Sequence, residues 1–447
     1  MFSMEKNFDV IIVGGGVTGT SLLWALSRYT KIKRVLLLEK YDRIAALNSN
    51  SRSNSQTLHF GDIETNYTLE KSMKVKKYAE YLLNYTKNML GKNESRRIIQ
   101  RCQKIVLGVG YEEVEALEKI YASGILKIFP GLKRIENEEI AKIEPKAMEG
   151  RNSREHVLAL LSDKGYMVDF GRLANTFVKN ARKYNKNIEV KTGAAVKSAH
   201  RTNDGYVVRV GNETLNSKFV AFATGTYSLH FAKKFGYDEN LSILSIGGGF
   251  YFSKRLLNGK VYRVQHGHIP FAAIHADPDI NNRGVTRFGP TVTVPPVLEK
   301  GHLGTMPDYI RSFDIDLQTA MSLKRILLDK DILRIIRRNM SYSLPLIGKG
   351  LFLKNEASKI IPTIKSNDLW IDKSTGGIRP QIIDKTKHFL ALGEAKIQRE
   401  GLIFNITPSP GASSCVGSAL EDARYIARYI GTDFNKSLFE KGVGSIN

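Results

Sequence analysis

Three glycines and one acid near the start of the chain have the types and the spacing of a dinucleotide-binding site. Gly14, Gly16 and Gly19 follow the G-x-G-x-x-G pattern, and Glu39 stands twenty residues after the last of them. Such glycines allow a sharp turn, a close approach of backbone N–H groups to a pyrophosphate, and tight helix packing. A carboxylate at Glu39 can accept hydrogen bonds from both hydroxyls of an adenosine ribose. The further predicted contacts beside these residues are Val17, Thr18 and Lys40.

The residues around the glycines predict the elements that would position them. Asp9–Val13 is a short β-branched run, typical of a strand buried on both faces, and Thr20–Tyr29 continues as a helix. Val35–Leu38 predicts a second strand that ends at Glu39. The first N–H groups of the helix and its dipole favour an anion at the glycine turn. The alternative is a glycine-rich turn in an ordinary βαβ unit.

A dense polar tract, Asn48–His59, follows the second strand. Its hydroxyls and amides could bond phosphates or the edge of a cofactor ring, and Ser55, Gln56 and Thr57 are the predicted contacts. The alternative for this tract is a disordered linker. His59 ends it, and this side chain is either structural or in contact with the reacting ring.

Two later segments predict that the chain returns to the first sheet. Phe219–Ala223 has the composition of a buried strand, and the small residues Thr224 and Gly225 after it would let the backbone approach a cofactor. Near the C-terminus, a turn rich in small residues opens a helix that ends at Ile430, and its dipole would stabilise negative charge on a reduced ring. The predicted contacts in the turn and in one further strand are Gly411, Ala412, Ser413 and Val196.

Composition limits the possible partners and location. The chain has 447 residues, 42% of them hydrophobic, and a net charge of +23, which favours a globular protein of two domains with a strongly basic surface. Three explanations of that charge are possible: binding of nucleic acid, binding of an anionic membrane surface, or the lysine-rich composition of proteins that an AT-rich genome encodes. We expect no nucleic-acid partner, because the lysines are scattered and no zinc-finger or RNP motif occurs. Cys102 and Cys415 form no C-x-x-C motif, and we predict no metal site.

The same sequence predicts that any contact with a membrane is peripheral. No run approaches the roughly 18 apolar residues of a spanning helix. The first ten residues lack the apolar core of a signal peptide, which favours a cytoplasmic location. Residues 321–340 predict one basic amphipathic helix. Its apolar stripe could lie in a membrane interface or pack on another part of the protein.

Eight motifs in one order give the chain a resemblance to a known family. They are GGGVTG with Glu39, NSNSRSNSQTLH, VDFGRLANTF, ATG, PFAAIHADPD, TRFGPT, GGIRPQ and TPSPGASS. This order resembles the short bacterial form of the FAD-dependent malate:quinone oxidoreductases, within the wider D-amino-acid-oxidase-like group that includes the L-2-hydroxyglutarate oxidases. The resemblance implies non-covalent FAD, oxidation of (S)-malate to oxaloacetate in the tricarboxylic acid cycle, and transfer of electrons to a membrane quinone. It also implies a peripheral enzyme on the cytoplasmic face of the inner membrane.

Four residues are candidates for the chemistry that the resemblance implies. His275 is the first choice for the base that takes the hydroxyl proton, because histidine titrates near neutral pH, and His59 is the second. Arg379 is the first choice to bind a substrate carboxylate, and Arg287 is the second. Each could instead be structural, as a hydrogen-bonded histidine or a surface ion pair.

The predicted fold class is α/β, with a discontinuous Rossmann-type FAD-binding domain and a second α+β substrate domain built on an antiparallel sheet. The predicted cofactor domain comprises residues 1–75, 160–245 and 370–447, and the substrate domain comprises 76–159 and 246–369. NAD is disfavoured because the chain returns to the first sheet twice, as a long flavin needs. Two other functions remain open: oxidation of L-2-hydroxyglutarate or another hydroxy or amino acid, and binding of RNA or a protein by a basic flavoprotein.

Overall fold

The structure is a computed structural model, which describes residues 6–265, 274–391, 395–406 and 410–444. The first half of the predicted strand from Pro270 and the start of the predicted turn at Thr407 lie outside these residues. No helix of the described ranges is both long and apolar enough to cross a bilayer.

The described residues form the following strands and helices. The strands are β1 (Lys6–Val13), β2 (Val35–Leu38), β3 (Ile99–Arg101), β4 (Lys104–Val109), β5 (Lys133–Ile135), β6 (Val157–Ser162), β7 (Tyr166–Val168), β8 (Ile188–Lys191), β9 (Val196–Thr202), β10 (Gly205–Val210), β11 (Glu213–Phe222), β12 (Leu241–Lys254), β13 (Lys260–Arg263), β14 (His275–Pro278), β15 (Val285–Thr293), β16 (Trp370–Ile371), β17 (Ile378–Asp384), β18 (Phe389–Leu390), β19 (Ala395–Arg399) and β20 (Leu402–Ile406). The helices are α1 (Val17–Tyr29), α2 (Leu69–Asn88), α3 (Lys92–Ile98), α4 (Tyr111–Ala122), α5 (Ile125–Ile128), α6 (Asn137–Ile143), α7 (Pro145–Met148), α8 (Phe170–Tyr184), α9 (Ser228–Lys234), α10 (Met306–Phe313), α11 (Leu317–Leu328), α12 (Lys330–Ser341), α13 (Gly348–Phe352), α14 (Ser358–Ile360), α15 (Cys415–Ile430) and α16 (Lys436–Gly442).

The first sheet has the order β19-β20-β11-β1-β2-β8. Strands β20, β11, β1, β2 and β8 run parallel, and β9 and β10 extend the sheet as an antiparallel hairpin beside β11. Helix α1 packs against α8 and α15. The ring of its Trp24 lies 5.6 Å from that of Phe177 on α8 and 4.9 Å from that of Tyr85 on α2. The chain therefore builds this sheet in several separate visits, as the sequence predicts.

The second sheet is mainly antiparallel and has the order β18-β17-β12-β15-β14-β13-β4-β6-β5, with β16 beside β12. Strand β17 pairs with β12 over seven residues, from Leu241 opposite Asp384 to Gly247 opposite Ile378. Strands β16, β17 and β18 therefore pair within the second sheet, whereas the sequence assigns residues 370–447 to the cofactor domain, and the domain bounds stay a prediction. The physical reason is edge pairing: β17 hydrogen-bonds along the free edge of β12, which the sequence of β17 alone does not reveal.

Two predicted helices have different outcomes. The helix predicted from Asp169 is confirmed as α8, and the Asp169 side chain caps it by accepting a hydrogen bond from the Arg172 N–H at 2.9 Å. The single helix predicted over 321–340 is wrong, because the chain forms α11 and α12 with a break at Asp329. The Asp329 carboxylate accepts hydrogen bonds from the first N–H groups of α12 and so starts a new helix.

Candidate functional site

The turn between β1 and α1 is closed so tightly that only glycine fits at two positions. Gly14 has φ +110°, and a Cβ there would lie 2.4 Å from the Ala223 carbonyl oxygen. A Cβ on Gly19 would lie 2.0 Å from the Gly14 carbonyl oxygen. Gly16 is the residue before the first turn of α1, where the first N–H groups of a helix have no partner within the helix itself. These contacts give the glycine pattern the backbone geometry that binds a pyrophosphate.

Glu39 lies at the end of β2, directly beside this turn. The side chain is buried, and its two oxygens accept hydrogen bonds from the N–H groups of Gly15 at 2.7 Å and Tyr41 at 2.9 Å. Each carboxylate oxygen keeps a second lone pair for a further donor. The acid is thus held in one orientation by the backbone while it lines the cavity described next.

A cavity of about 430 Å³ extends from the glycine turn to β17 and to the turn before α15. Most of the predicted cofactor and site residues line it. These are Gly14, Gly16, Val17, Thr18, Glu39, Lys40, Ser55, Thr57, His59, Val196, Thr224, Gly225, Arg379, Gly411, Ala412 and Ser413. Residues that are distant in sequence therefore share one wall, which is what a long dinucleotide requires.

The polar tract 48–59 is a defined loop along this cavity. The Ser49 hydroxyl accepts a hydrogen bond from the Val17 N–H at 2.9 Å, at the start of α1. The Asn48 amide donates to the Ile378 carbonyl at 2.9 Å, at the start of β17. The loop thus joins the glycine turn to the second sheet and forms one side of the cavity between them.

A serine in the C-terminal turn fastens the end of the same loop. The Ser413 hydroxyl accepts a hydrogen bond from the His59 N–H at 2.9 Å and donates to the Thr57 carbonyl at 3.3 Å. Helix α15 begins two residues later, so its N-terminal end approaches the loop. This contact brings the segment around Thr57 and the turn around Ser413 together on the wall of the same cavity.

His59 lies on the cavity wall and is held by an acid. Its Nδ1 lies 2.5 Å from Oε1 of Glu64. Burial alone would raise the pKa of Glu64, but the hydrogen bond from His59 and the charges of His59 and Lys104 lower it to about 2. An ionised carboxylate can only accept, so Nδ1 of His59 donates to Glu64 and this bond fixes the orientation of the ring.

Arg379 is a cation of the cavity wall that has no carboxylate partner among the described residues. It lies on β17, is half-buried, and forms no ion pair with any residue that the structure describes. Burial lowers the pKa of its guanidinium, and nearby Tyr262 and Tyr67 oppose that shift. A guanidinium stays protonated at neutral pH, so a positive charge faces the cavity and can bind an anion.

His275 and Arg287 lie behind the loop, outside the described part of the cavity wall. Both contact the buried carboxylate of Asp277, with Nε2 of His275 at 3.2 Å and Nη2 of Arg287 at 3.0 Å. Arg287 also donates to the Ser55 carbonyl at 3.0 Å. Burial lowers the pKa of His275, whereas Lys260 and Arg287 outweigh the effect of burial on Asp277 and lower its pKa. The predicted roles of His275 as base and Arg287 as second anchor therefore remain predictions, and their observed contacts support the loop.

Two predicted cofactor contacts also lie outside that wall. Gly19 packs under the glycine turn. The Gln56 amide is buried and bonds with the Asp279 carboxylate at 3.0 Å and the Ile280 N–H at 2.9 Å. Gln56 has φ +51°, a left-handed conformation that turns its side chain toward the β14–β15 connection. Its role is thus to hold the loop from outside the cavity.

Sequence reasoning missed the residues that close the end of the cavity beside Glu39. Glu299 and Asp308 line the cavity near Glu39, although they are far away in the sequence. The buried Glu299 carboxylate pairs with Lys40, accepts a hydrogen bond from the Tyr41 hydroxyl, and lies 3.0 Å from Nδ1 of His302. No motif marks these residues, because their place depends on how the connection after β15 crosses the first sheet.

Comparisons with known proteins show the family of this chain. A family model described as malate:quinone oxidoreductase matches residues 6–437. The chain is 39% identical over 446 residues to a probable malate:quinone oxidoreductase of Campylobacter jejuni, covering 97% of this chain and 98% of the relative. It is 39% identical over 447 residues to the malate:quinone oxidoreductase of Helicobacter pylori strain 26695, covering 98% of both.

The fold also matches solved structures. L-alpha-glycerophosphate oxidase from Mycoplasma pneumoniae, solved with FAD bound, superposes with a TM-score of 0.65 at 21% identity, covering 96% of each chain. At this identity the likeness concerns the fold alone. The predicted fold class is confirmed. The cradle of glycines around Gly14, the buried acid and the elongated cavity also fit an FAD molecule.

Proposed function

This chain belongs to the malate:quinone oxidoreductase family, and from that premise we propose how its residues oxidise malate. As a member of the family it is an FAD-dependent oxidoreductase that acts on malate with a quinone. The observation that carries the proposed site is Arg379, a guanidinium on the cavity wall that no described acid neutralises. A planar fork of N–H donors fits a carboxylate with two parallel hydrogen bonds.

We propose that Arg379 and His59 divide the work on the substrate. Arg379 binds one malate carboxylate and so orients the alcohol carbon toward the cofactor. Nε2 of His59 accepts the hydroxyl proton, while Glu64 stabilises the imidazolium that forms. Bound FAD supplies the acceptor for the hydride, at flavin N5. The loop 48–59 covers the site and excludes water, which strengthens each charge interaction.

The choice of His59 over His275 rests on position. His59 lines the cavity, whereas His275 stacks on Tyr262 at 4.6 Å between ring centroids and is 2% exposed. Tyr262 in turn shares a hydrogen bond of 2.7 Å with the Thr57 hydroxyl. His275 would therefore act on the loop through Tyr262 and through Asp277.

The substrate is tested by mixing purified yellow protein with L-malate in the absence of oxygen. We expect loss of the oxidised flavin absorbance with L-malate, and recovery of the colour when a soluble quinone is added. D-malate and L-2-hydroxyglutarate serve as matched substrates with the same functional groups. Faster reduction by L-2-hydroxyglutarate would assign the other substrate, and no reduction by any hydroxy acid would contradict the proposed function.

We propose that a surface around α11 and α12 binds an anionic bilayer, where the quinone is dissolved. The buried side of these helices packs on the second sheet through Ile326, Leu323 and Ile336. Large apolar side chains remain exposed around them: Leu303, Ile310, Ile315, Leu317, Met321, Leu327, Leu328, Met340, Leu344, Leu346 and Ile347. Exposed basic residues lie among them: Lys324, Arg325, Lys330, Arg334 and Arg337.

This apolar and basic face has the chemistry of a peripheral membrane site. Each cation near an anionic surface contributes about 1 kcal/mol, and each buried leucine contributes about 2 kcal/mol. The apolar stripe predicted over 321–340 mainly packs on the sheet, so the membrane contact would come from the opposite side of the helices. The proposed location is therefore peripheral, on the cytoplasmic face of the inner membrane.

The membrane proposal predicts that Leu327→Glu with Leu328→Glu lowers sedimentation with anionic liposomes by about tenfold or more, since two apolar contacts become charged. Malate-dependent reduction of a soluble dye should not change. Met73→Glu is the matched control, because Met73 is 53% exposed on α2, outside this face. Equal binding by the double variant and the wild type would place the membrane contact elsewhere.

A further inference from the structure

A second cavity on the surface is lined by arginines that the proposed reaction does not use. It holds about 430 Å³ and lies between the end of α3, the first turn of α8 and the connection from β14 to β15. Four guanidinium side chains belong to its wall, together with three side-chain amides. The residues are Arg96, Arg97, Arg172, Arg283, Asn93, Gln100 and Asn281, with Ile280.

The charges around this arginine pocket are poorly balanced. Arg96, Arg97 and Arg283 form no ion pair with any residue in the described ranges. Arg172 lies 3.3 Å from the Asp169 carboxylate, but that carboxylate also caps α8 and accepts a hydrogen bond from the Asn281 amide at 2.9 Å. The nearby acid Glu94 pairs with Lys179 at 2.9 Å, away from the pocket. Three of the four guanidinium groups therefore face one space without a counterion among the residues that the structure describes.

We propose that the arginine pocket binds a soluble phosphate-bearing anion with at least two negative charges. Guanidinium forks match phosphate oxygens and form bidentate hydrogen bonds, and the amides of Asn93 and Gln100 add uncharged donors around them. A bound polyanion would also relieve the repulsion among the arginines. Four guanidinium groups around one space suit an anion with several phosphate charges better than a single monovalent ion.

Direct hydrogen bonds connect the pocket to the loop that lines the FAD cavity. The Asn281 amide donates to the Ser51 hydroxyl at 3.0 Å. Ile280, the residue before Asn281, also belongs to the pocket wall and donates its N–H to the Gln56 side chain at 2.9 Å. An anion that fixes the connection between β14 and β15 would therefore also stabilise residues 51–56. The consequence is slower loss of FAD when the pocket is occupied.

The test is calorimetric titration of the full-length holoenzyme with inorganic triphosphate at low ionic strength. We expect saturable binding at one site, at least about tenfold weaker in Arg97→Ala with Arg283→Ala, because two charge-assisted contacts to the anion are lost. Arg182→Ala is the matched control, since Arg182 is exposed at the far end of α8. Arg97→Lys with Arg283→Lys keeps the charge and should show intermediate affinity.

Two further arms separate the possible sources of the anion and the effect on the cofactor. Titration with citrate tests whether the pocket binds carboxylates instead of phosphates. Titration with vesicles that contain anionic phospholipids tests whether it binds a lipid headgroup. Triphosphate should slow FAD release from the wild type, measured by flavin fluorescence, and should not do so in the double alanine variant. No saturable triphosphate binding, equal binding by that variant, or binding of vesicles alone would overturn the proposal. The binding heat needs no malate, so this result is independent of the proposed reaction.

Discussion

Replacing Arg379 with alanine should raise the KM for malate by about a hundredfold, while FAD remains bound with an unchanged spectrum. The guanidinium has no described acid partner, so its removal leaves a substrate carboxylate without its charged donor in a buried site. Loss of one partner of such a pair costs about 2–5 kcal/mol, and 1.4 kcal/mol is a factor of ten. Steady-state kinetics with L-malate and a dye acceptor measure the effect.

The controls for Arg379 separate charge from geometry. Arg379→Lys keeps the charge but loses the planar fork, so its KM should fall between those of the wild type and the alanine variant. Arg201→Ala removes an exposed arginine that pairs with Glu400 at 2.7 Å, and it should behave like the wild type. An unchanged KM in Arg379→Ala would remove this residue from the substrate site.

The cofactor end of the site could be predicted from sequence because its determinants are local. The glycine spacing, the strand before it and the acid at Glu39 lie within one βαβ unit, and a short segment fixes their mutual geometry. The capping of α8 by Asp169 was predictable for the same reason. Such features depend on backbone conformation and on neighbours within a few residues.

The rest of the cavity depends on contacts between distant segments, which the sequence alone does not encode in any local pattern. Arg287 and His275 have residue types suited to catalysis, but the fold turns both toward Asp277. Glu299 has no distinguishing neighbour, yet it closes the cavity by pairing with Lys40. The break of the predicted 321–340 helix at Asp329 is a local signal, and an N-cap residue inside an apolar repeat could have revealed it.

His59→Gln should slow flavin reduction at saturating malate by about 10²- to 10⁴-fold, which is the usual contribution of a general base. The amide keeps a donor for Glu64 but cannot take the substrate proton. Stopped-flow absorbance at a single turnover measures the reduction step directly. The KM for malate should change much less than the rate, because Arg379 supplies the charged contact to the substrate.

Glu64 provides a second test of the same base through pH. Its lowered pKa of about 2 against an ordinary 4.5 means that its contribution to stability is present above pH 4.5 and is lost as the pH falls toward 2. The carboxylate therefore stays ionised wherever the enzyme works. In Glu64→Gln the imidazolium loses this anion, so the acidic limb of the pH–rate profile should move to lower pH.

Comparing the His275→Gln and His59→Gln variants decides which of the two histidines takes the substrate proton. His275→Gln removes a buried ring that stacks on Tyr262, so we expect weaker FAD retention and a lower melting temperature. In the fraction that retains FAD, reduction by saturating malate should stay within about tenfold of the wild type, because another group takes the proton. If His275→Gln instead stops reduction while His59→Gln reacts normally, the base is the histidine chosen from sequence. The cavity wall would then have to open toward β14 before malate reacts.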